Sequence, residues 1–254
     1  MLFRSANIQR KRFDCLIDVG EIAELNYIRM QKDGIHIGAA VTYTQLMQSG
    51  IVKTDLPSLV QMIRLIASQQ IRNFGTLAGN VANASPVGDS LPLLLLYDAI
   101  LVLESLAGLR QVPIREYFVA YKQTALHRGE IIREIIVPLP QRSSFIQSIK
   151  SSKRKSVDIS AVSSAIRLDI ANGTIQKAYL AFGGVAATPM LSMKFAGLVQ
   201  GKTLDMLTLD VVAKNILEEF SPLSDVRGSS DYRKQMVLNH LAQYELLLKE
   251  ISNG

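Results

Sequence analysis

The chain of 254 residues is 48% hydrophobic, 20% charged and 6% aromatic, a balance that excludes a disordered polymer and can bury one large core or two modest ones. Its longest strongly apolar run, residues 91–96 with Pro92 inside it, is too short to cross a bilayer, and residues 1–15 lack the apolar stretch of a signal peptide, so a cytoplasmic location without a membrane span is expected. The single cysteine, Cys15, excludes a disulfide framework, a thiolate zinc site and an iron–sulfur cluster held by this chain alone, and reads as a small core residue.

The 28 basic and 22 acidic side chains leave a formal charge of +6. The basic residues gather at Arg10–Lys11–Arg12 and at Lys150, Lys153, Arg154 and Lys155, with no interleaved aromatics and no zinc-finger or RNP-type motif. That distribution argues against nucleic acid and for a solvated face or a site for a small anion.

In chain order, residues 34–41 read as a strand in which Ile35, Ile37 and Ala39 alternate against His36 and Gly38, followed by a helix starting near 42–44. A second helix is expected from Ser58, its N-cap, with Leu59, Met62, Ile63 and Ile66 at helical spacing. Residues 73–89, NFGTLAGNVANASPVGD, are almost wholly small or turn-forming and read as a long, tight, ordered loop. Pro92 suits the first turn of a helix; 99–104 and 110–114 read as a hairpin around Gly108, and 130–137 as a strand closed by Pro138. Residues 160–170 put Val162, Ser164, Ile166, Leu168 and Ile170 on one face, and Asn172–Gly173 supplies a two-residue turn into a strand at 175–182. The C-terminus is helical, with Val237, Leu241, Tyr244, Leu248 and Ile251 on one stripe. The fold class is therefore α+β, with domains at 1–140 and 141–254 and the boundary in the basic, serine-rich stretch 141–156.

Little in this pattern carries acid–base or nucleophilic chemistry. His36, His127 and His240 have no histidine or cysteine at metal-ligand spacing, and there is no Gly-x-Ser-x-Gly elbow, so neither a metal site nor a catalytic residue is assigned. The small-residue run is the sharp feature. Gly75, Ala78 and Gly79 would let backbone N–H groups approach an anion, and Thr76, Asn80, Asn83, Ser85 and Asp89 add polar groups suited to a phosphate, a ribityl chain or a ribose. It is neither a Walker loop nor a G-x-G-x-x-G fingerprint, and an ordered connection packed by its own small residues is the plain alternative.

The run QIRNFGTLAGNVANASPVGD (70–89) resembles the flavin-binding segment of the xanthine dehydrogenase and molybdenum hydroxylase flavoproteins. Four more segments match in order: REYFVAYKQTALHRGEII (115–132), SIKSSKRKSVDISAV (148–162), AYLAFGGVAATP (178–189) and SPLSDVRGSSDYR (221–233). Together they are most similar to the small, FAD-carrying subunits of bacterial xanthine dehydrogenases. The resemblance implies that 1–140 is the second lobe of the family's FAD-binding fold (PCMH-like) and 141–254 its C-terminal domain of a sheet flanked by helices. It also implies that Thr76, Gly79, Asn80, Asn83, Ser85 and Asp89 contact FAD, that Ile132 meets the flavin end, and that Lys150 lies close to the cofactor, with a solvated lysine in a basic stretch as the alternative.

The pattern departs from the family in three places. Ile66 stands where some members carry an aromatic, which removes ring stacking from that position. Ala78 stands where many have glycine and requires ordinary backbone angles. The first FAD lobe, with its Ala-Gly-Gly-Thr loop, is not found ahead of LIDVGEIAEL (16–25), nor are the thiolates of the two upstream [2Fe–2S] clusters. What the resemblance implies is an oxidoreductase component that carries electrons from iron–sulfur clusters through FAD to NAD, beside a large subunit holding molybdopterin. The iron–sulfur domain or chain would then also supply the first lobe, and this chain alone would bind FAD weakly. Another molybdenum hydroxylase, acting on an aldehyde, carbon monoxide or an aromatic acyl thioester, and a scaffold that no longer binds FAD, are the alternatives.

Overall fold

A computed structural model describes residues 10, 12–204 and 208–252. After a 3-10 turn at Ala23–Leu25, the first half contains β1 (Ile28–Gln31), β2 (Gly34–Gly38), α1 (Tyr43–Gln48), α2 (Gly50–Asp55), α3 (Pro57–Leu65), α4 (Gln69–Arg72), α5 (Leu77–Asn83) and α6 (Leu91–Leu96). It continues through β3 (Ile100–Ser105), β4 (Gly108–Pro113), α7 (Ile114–Tyr117), β5 (Phe118–Ala120), β6 (Gln123–Thr124) and β7 (Ile131–Val137). The second half contains β8 (Ser144–Ser151), β9 (Val162–Ala171), β10 (Thr174–Gly183), β11 (Met190–Leu191), α8 (Phe195–Val199), α9 (Leu209–Leu217) and α10 (Ser230–Ser252).

Two antiparallel sheets organise these elements, one of order β1-β2-β7-β3-β4 and one of order β11-β10-β9-β8, with β5 and β6 forming a small ribbon. The second sheet buries both faces. Val162, Ile166, Leu168, Leu180 and Phe182 join a core closed by α8, α9 and α10, to which Val237, Leu241, Tyr244 and Leu248 contribute the expected stripe. The side chain of Ile251 lies outside those described, as does Lys11. On the opposite face, Ala165 and Ala181 join the core of the first half. Against the second sheet packs α6, whose six residues are all buried and whose leucines join the core of the first half, so no polar stripe is needed or present. The β9–β10 hairpin turns at Asn172 and Gly173, with φ of 52° and 73°, the positive pair that a tight two-residue turn requires.

Several expectations are corrected by tertiary context. The strand predicted over 34–41 ends at Gly38 and buries all five residues, because β2 lies between β1 and β7. His36 keeps its polarity there by bonding Asp33 Oδ1 at 2.9 Å and Glu134 Oε2 at 3.0 Å. Ser58 is not an N-cap: α3 begins with Pro57 at its first turn, and the Ser58 hydroxyl donates to Ile146 O at 2.8 Å. Ile66 is off the helix, as the C-cap of α3. The run 73–89 is not one loop, because Thr76 caps α5 inside it and the small side chains let that helix pack closely. Cys15 is exposed, since the stretch around it, with Leu16 and Ile17 also exposed, lies outside both cores. The serine-rich stretch 141–156 contains β8, paired along its length with β9.

Candidate functional site

The run of small residues forms one side of a cavity of about 610 Å³. Thr76 Oγ1 accepts the Gly79 N–H at 2.9 Å and starts α5, and Ala84 ends the helix in a left-handed conformation at φ 47°. The chain then turns through Ser85 to Gly88, whose N–H donates to Ser85 O at 3.0 Å. Pro86 O accepts the Gly184 N–H at 2.7 Å, which joins this turn to the end of β10. Ala78 lies within α5, so its backbone angles are the ordinary ones its position demands.

Asn80, Asn83, Ser85 and Asp89 line the cavity together. Asn80 is oriented by Ser90, whose hydroxyl donates to its Oδ1 at 2.8 Å. Thr76 and Gly79 lie at the start of α5 and do not line the cavity. Ile132 is also away from it: buried on β7 opposite Leu103, it belongs to the core. Lys150 is not a solvated lysine. Its side chain is only 7% exposed, and its ammonium lies 2.7 Å from Asp89 Oδ2. Ser160 donates its hydroxyl to the other oxygen, Asp89 Oδ1. Burial raises the Asp89 carboxyl above the usual carboxylate range, against the pull of Lys150 and Ser160.

The remaining walls come from residues that were not singled out. Tyr121 and Lys122 contribute from the β5–β6 turn, Val157 to Ile159 from the loop after β8, Gly184 and Ala186 from the end of β10, and Leu223 to Asp225 with Arg227 and Arg233 from the approach to α10. Gly184 has no room for a side chain, since a Cβ there would lie 2.3 Å from Ala161 O. Buried Arg233 donates to Ala161 O, to Gly184 O at 3.2 Å and to Asp225 Oδ1 at 2.7 Å. Asp225 takes a second guanidinium, from Arg227, at 2.8 Å; burial would raise its pKa, but the bonds from Arg227 and Arg233 hold it below the usual range. The signal for these residues was present in the sequence, because every one falls within the segments 115–132, 148–162, 178–189 and 221–233.

The lining offers groups for binding rather than for acid–base or nucleophilic chemistry. Ile66, Ile71, Ile159 and Leu223 offer apolar surface, Asn80, Asn83 and Ser85 offer hydrogen-bond groups, and Lys122 and Arg227 offer positive charge. Its volume is in the range of small-molecule and cofactor sites, roughly 300–1,000 Å³. A ligand with a flat apolar ring, a polyhydroxylated chain and phosphates matches that mixture. Among the described residues no cluster of His, Cys, Asp and Glu could hold a metal ion, and no helix is long and apolar enough to cross a membrane.

Residues 2–140 match the family model described as the FAD binding domain in molybdopterin dehydrogenase, and residues 147–246 that of the CO dehydrogenase flavoprotein C-terminal domain. The chain is 32% identical over 229 residues to the xanthine dehydrogenase FAD-binding subunit of Escherichia coli O157:H7, covering 89% of this chain and 78% of that subunit. It is 34% identical over 247 residues to a nicotinate hydroxylase of Emericella nidulans, of whose length it spans only 18%. Among solved structures it is similar to carbon monoxide dehydrogenase from Hydrogenophaga pseudoflava, with a TM-score of 0.89 and 28% identity over 95% of this chain and 84% of that one.

Proposed function

Because this chain belongs to the FAD-binding family of the molybdenum hydroxylase flavoproteins, we propose that its cavity holds FAD and that it serves as the electron-transfer component of a xanthine dehydrogenase-like complex. One observation carries the reading: the five sequence segments that resemble the family, far apart along the chain, each contribute wall residues to this one cavity. Bound FAD supplies the exchange between single electrons and a hydride, which no side chain can perform. The chain's own task is to bind and orient. Asn80, Asn83 and Ser85 present polar groups to the ribityl or phosphate portion, α5 is set in place by its Thr76 cap and by Gly79, and the apolar side chains of Ile66, Ile71 and Ile159 keep water from the ring.

In this reading electrons arrive from [2Fe–2S] clusters on a partner chain or domain and leave to NAD. A large subunit with molybdopterin performs the hydroxylation of a purine. The exposed apolar residues at the mouth, Val157, Ile159 and Leu223, suit a partner surface. Other substrates of the same chemistry, an aldehyde or carbon monoxide, fit the chain equally, since the substrate pocket would lie on the molybdenum subunit.

The test is titration of the full-length chain with FAD, alone and with the iron–sulfur partner, followed by quenching of flavin fluorescence. Saturable quenching in either condition supports the reading, and its absence in both overturns it. Steady-state assays of the assembled complex with hypoxanthine, aldehydes and NAD then decide substrate and acceptor.

A further inference from the structure

Three residues lining the cavity are non-glycine residues in the left-handed region, Ala67 at φ 48°, Lys122 at φ 55° and Val157 at φ 51°, and the first and last of them carry two of its walls. That conformation is unfavourable for alanine and more so for a β-branched valine. Such residues persist where their surroundings over-determine them. Here the determinants are cations on backbone carbonyls. Arg72 Nη1 donates to Ile66 O at 2.7 Å and to Ala67 O at 2.8 Å, and Arg154 Nη2 donates to Val157 O at 3.0 Å.

One group reaches both turns. Lys150 Nζ donates to Leu65 O at 3.0 Å, two residues before Ala67, and to Asp158 O at 2.9 Å, directly after Val157. Its third bond goes to Asp89 Oδ2 at 2.7 Å. Three bonds use all the N–H donors of an ammonium, so none is left to point at a ligand.

We propose that Lys150 is a positioning residue: its buried ammonium, neutralised by Asp89, holds the turns at Ala67 and Val157 in their left-handed form and so fixes the spacing of two cavity walls. The consequence for binding rests on the reading of this cavity as the flavin site. Without the clamp the turns relax toward ordinary angles, and a ligand must restore them. Its apparent affinity then falls by the fraction of molecules whose walls are in place. A lysine acting on the flavin directly would work through its charge, whereas a clamp works through the backbone, and glycine separates the two.

The experiment uses the full-length chain, with the iron–sulfur partner where FAD binding needs it. Lys150→Met combined with Asp89→Asn removes both charges and leaves no lone buried carboxylate. The expected result is faster amide hydrogen exchange at 65–68 and 156–160 without FAD, and a Kd for FAD raised about tenfold or more. Adding Ala67→Gly and Val157→Gly, which supply the left-handed angles without strain, restores most of that affinity although no positive charge returns. Should the charge-free variant fail to fold, Lys150→Gln, which keeps part of the donor set, is expected to show the same changes in smaller degree with the same glycine rescue. Unchanged exchange at the two turns overturns the proposal. So does affinity that the glycines do not recover while the flavin reduction potential shifts with the lost charge. If the unaltered protein binds no FAD in either setting, the flavin reading fails, and the exchange comparison still decides the clamp.

Discussion

Arg233 and Asp225 meet at 2.7 Å with very different access to water, the arginine side chain 3% exposed and the aspartate 36%. The guanidinium is therefore held inside the protein by a carboxylate that stands at its edge. Through the same group, Ala161 O and Gly184 O are tied together, so the start of β9, the end of β10 and the approach to α10 all depend on one buried charge.

Asp225→Asn removes the counter-charge and leaves that guanidinium buried and uncompensated, at an expected cost of about 3 kcal/mol. Arg227→Gln cuts only the outer ion pair of the same aspartate and is expected to cost under about 1 kcal/mol. Urea unfolding of the two variants side by side measures the contrast, and equal costs would contradict the assignment of the buried bond as the important one.

His240 gives the protein a weakness toward acid. It is fully buried, with Ser151 Oγ 2.8 Å from Nε2 and Ser164 Oγ 2.7 Å from Nδ1, and burial lowers its pKa from 6.5 to about 4. Below the ordinary histidine value the unfolded chain takes up a proton that the folded chain resists. Stability from this group is therefore complete at neutral pH and is lost as pH falls from 6.5 toward about 4, by up to about 3 kcal/mol. Denaturation curves across that window should show the slope in the native chain and its loss in His240→Gln.

The start of α5 depends on one hydroxyl. Thr76→Ala removes the acceptor for the Gly79 N–H and is expected to destabilise the chain by about 1 kcal/mol, while Thr76→Ser should be near neutral. Thermal melting reads the stability, and FAD titration of the same variants asks whether the cap also sets the position of Asn80 and Asn83.

At the β9–β10 turn, Gly173 has φ 73°, and Gly173→Ala is expected to cost about 1 kcal/mol because alanine enters the left-handed region at a penalty. No side chain occupies the space where the new Cβ would lie. A larger loss in chemical denaturation would point to a clash rather than to backbone preference.

Where residues made their own local argument, the sequence was legible. Asn172–Gly173 between alternating apolar runs specified a hairpin, Pro92 opened a helix, and the spacing of Val237, Leu241, Tyr244 and Leu248 specified a buried stripe. Legibility failed where long-range partners decide. Small residues at 77–83 carry no apolar period, yet Thr76 nucleates a helix there. Residues 144–151 look like a polar linker, but β9 offers them a full ladder of partners. Cys15 has apolar neighbours in sequence and none that bury it in space.

The candidate site divides in the same way. Asn80, Asn83, Ser85 and Asp89 were found because they are contiguous in a run of unusual composition. Arg233 and Asp158 lie within matching segments but carried no signal of their own, since an arginine or an aspartate becomes part of a wall only through the fold that turns it inward. For Lys150 the resemblance to the family implies a cation near a cofactor, whereas the structure shows an ammonium whose three donors are spent on the protein.

The helix α6 has a thermodynamic reach beyond its length. With all six residues buried, packed on the second sheet and sharing the core of the first half, it gives each half apolar contacts that the other must complete. Neither half can melt without exposing leucines that the other still needs covered, which couples them into one cooperative unit. The cavity draws its walls from both halves, so heat or denaturant would not loosen the site by degrees ahead of the fold; the capacity to bind and the folded state would disappear over the same interval.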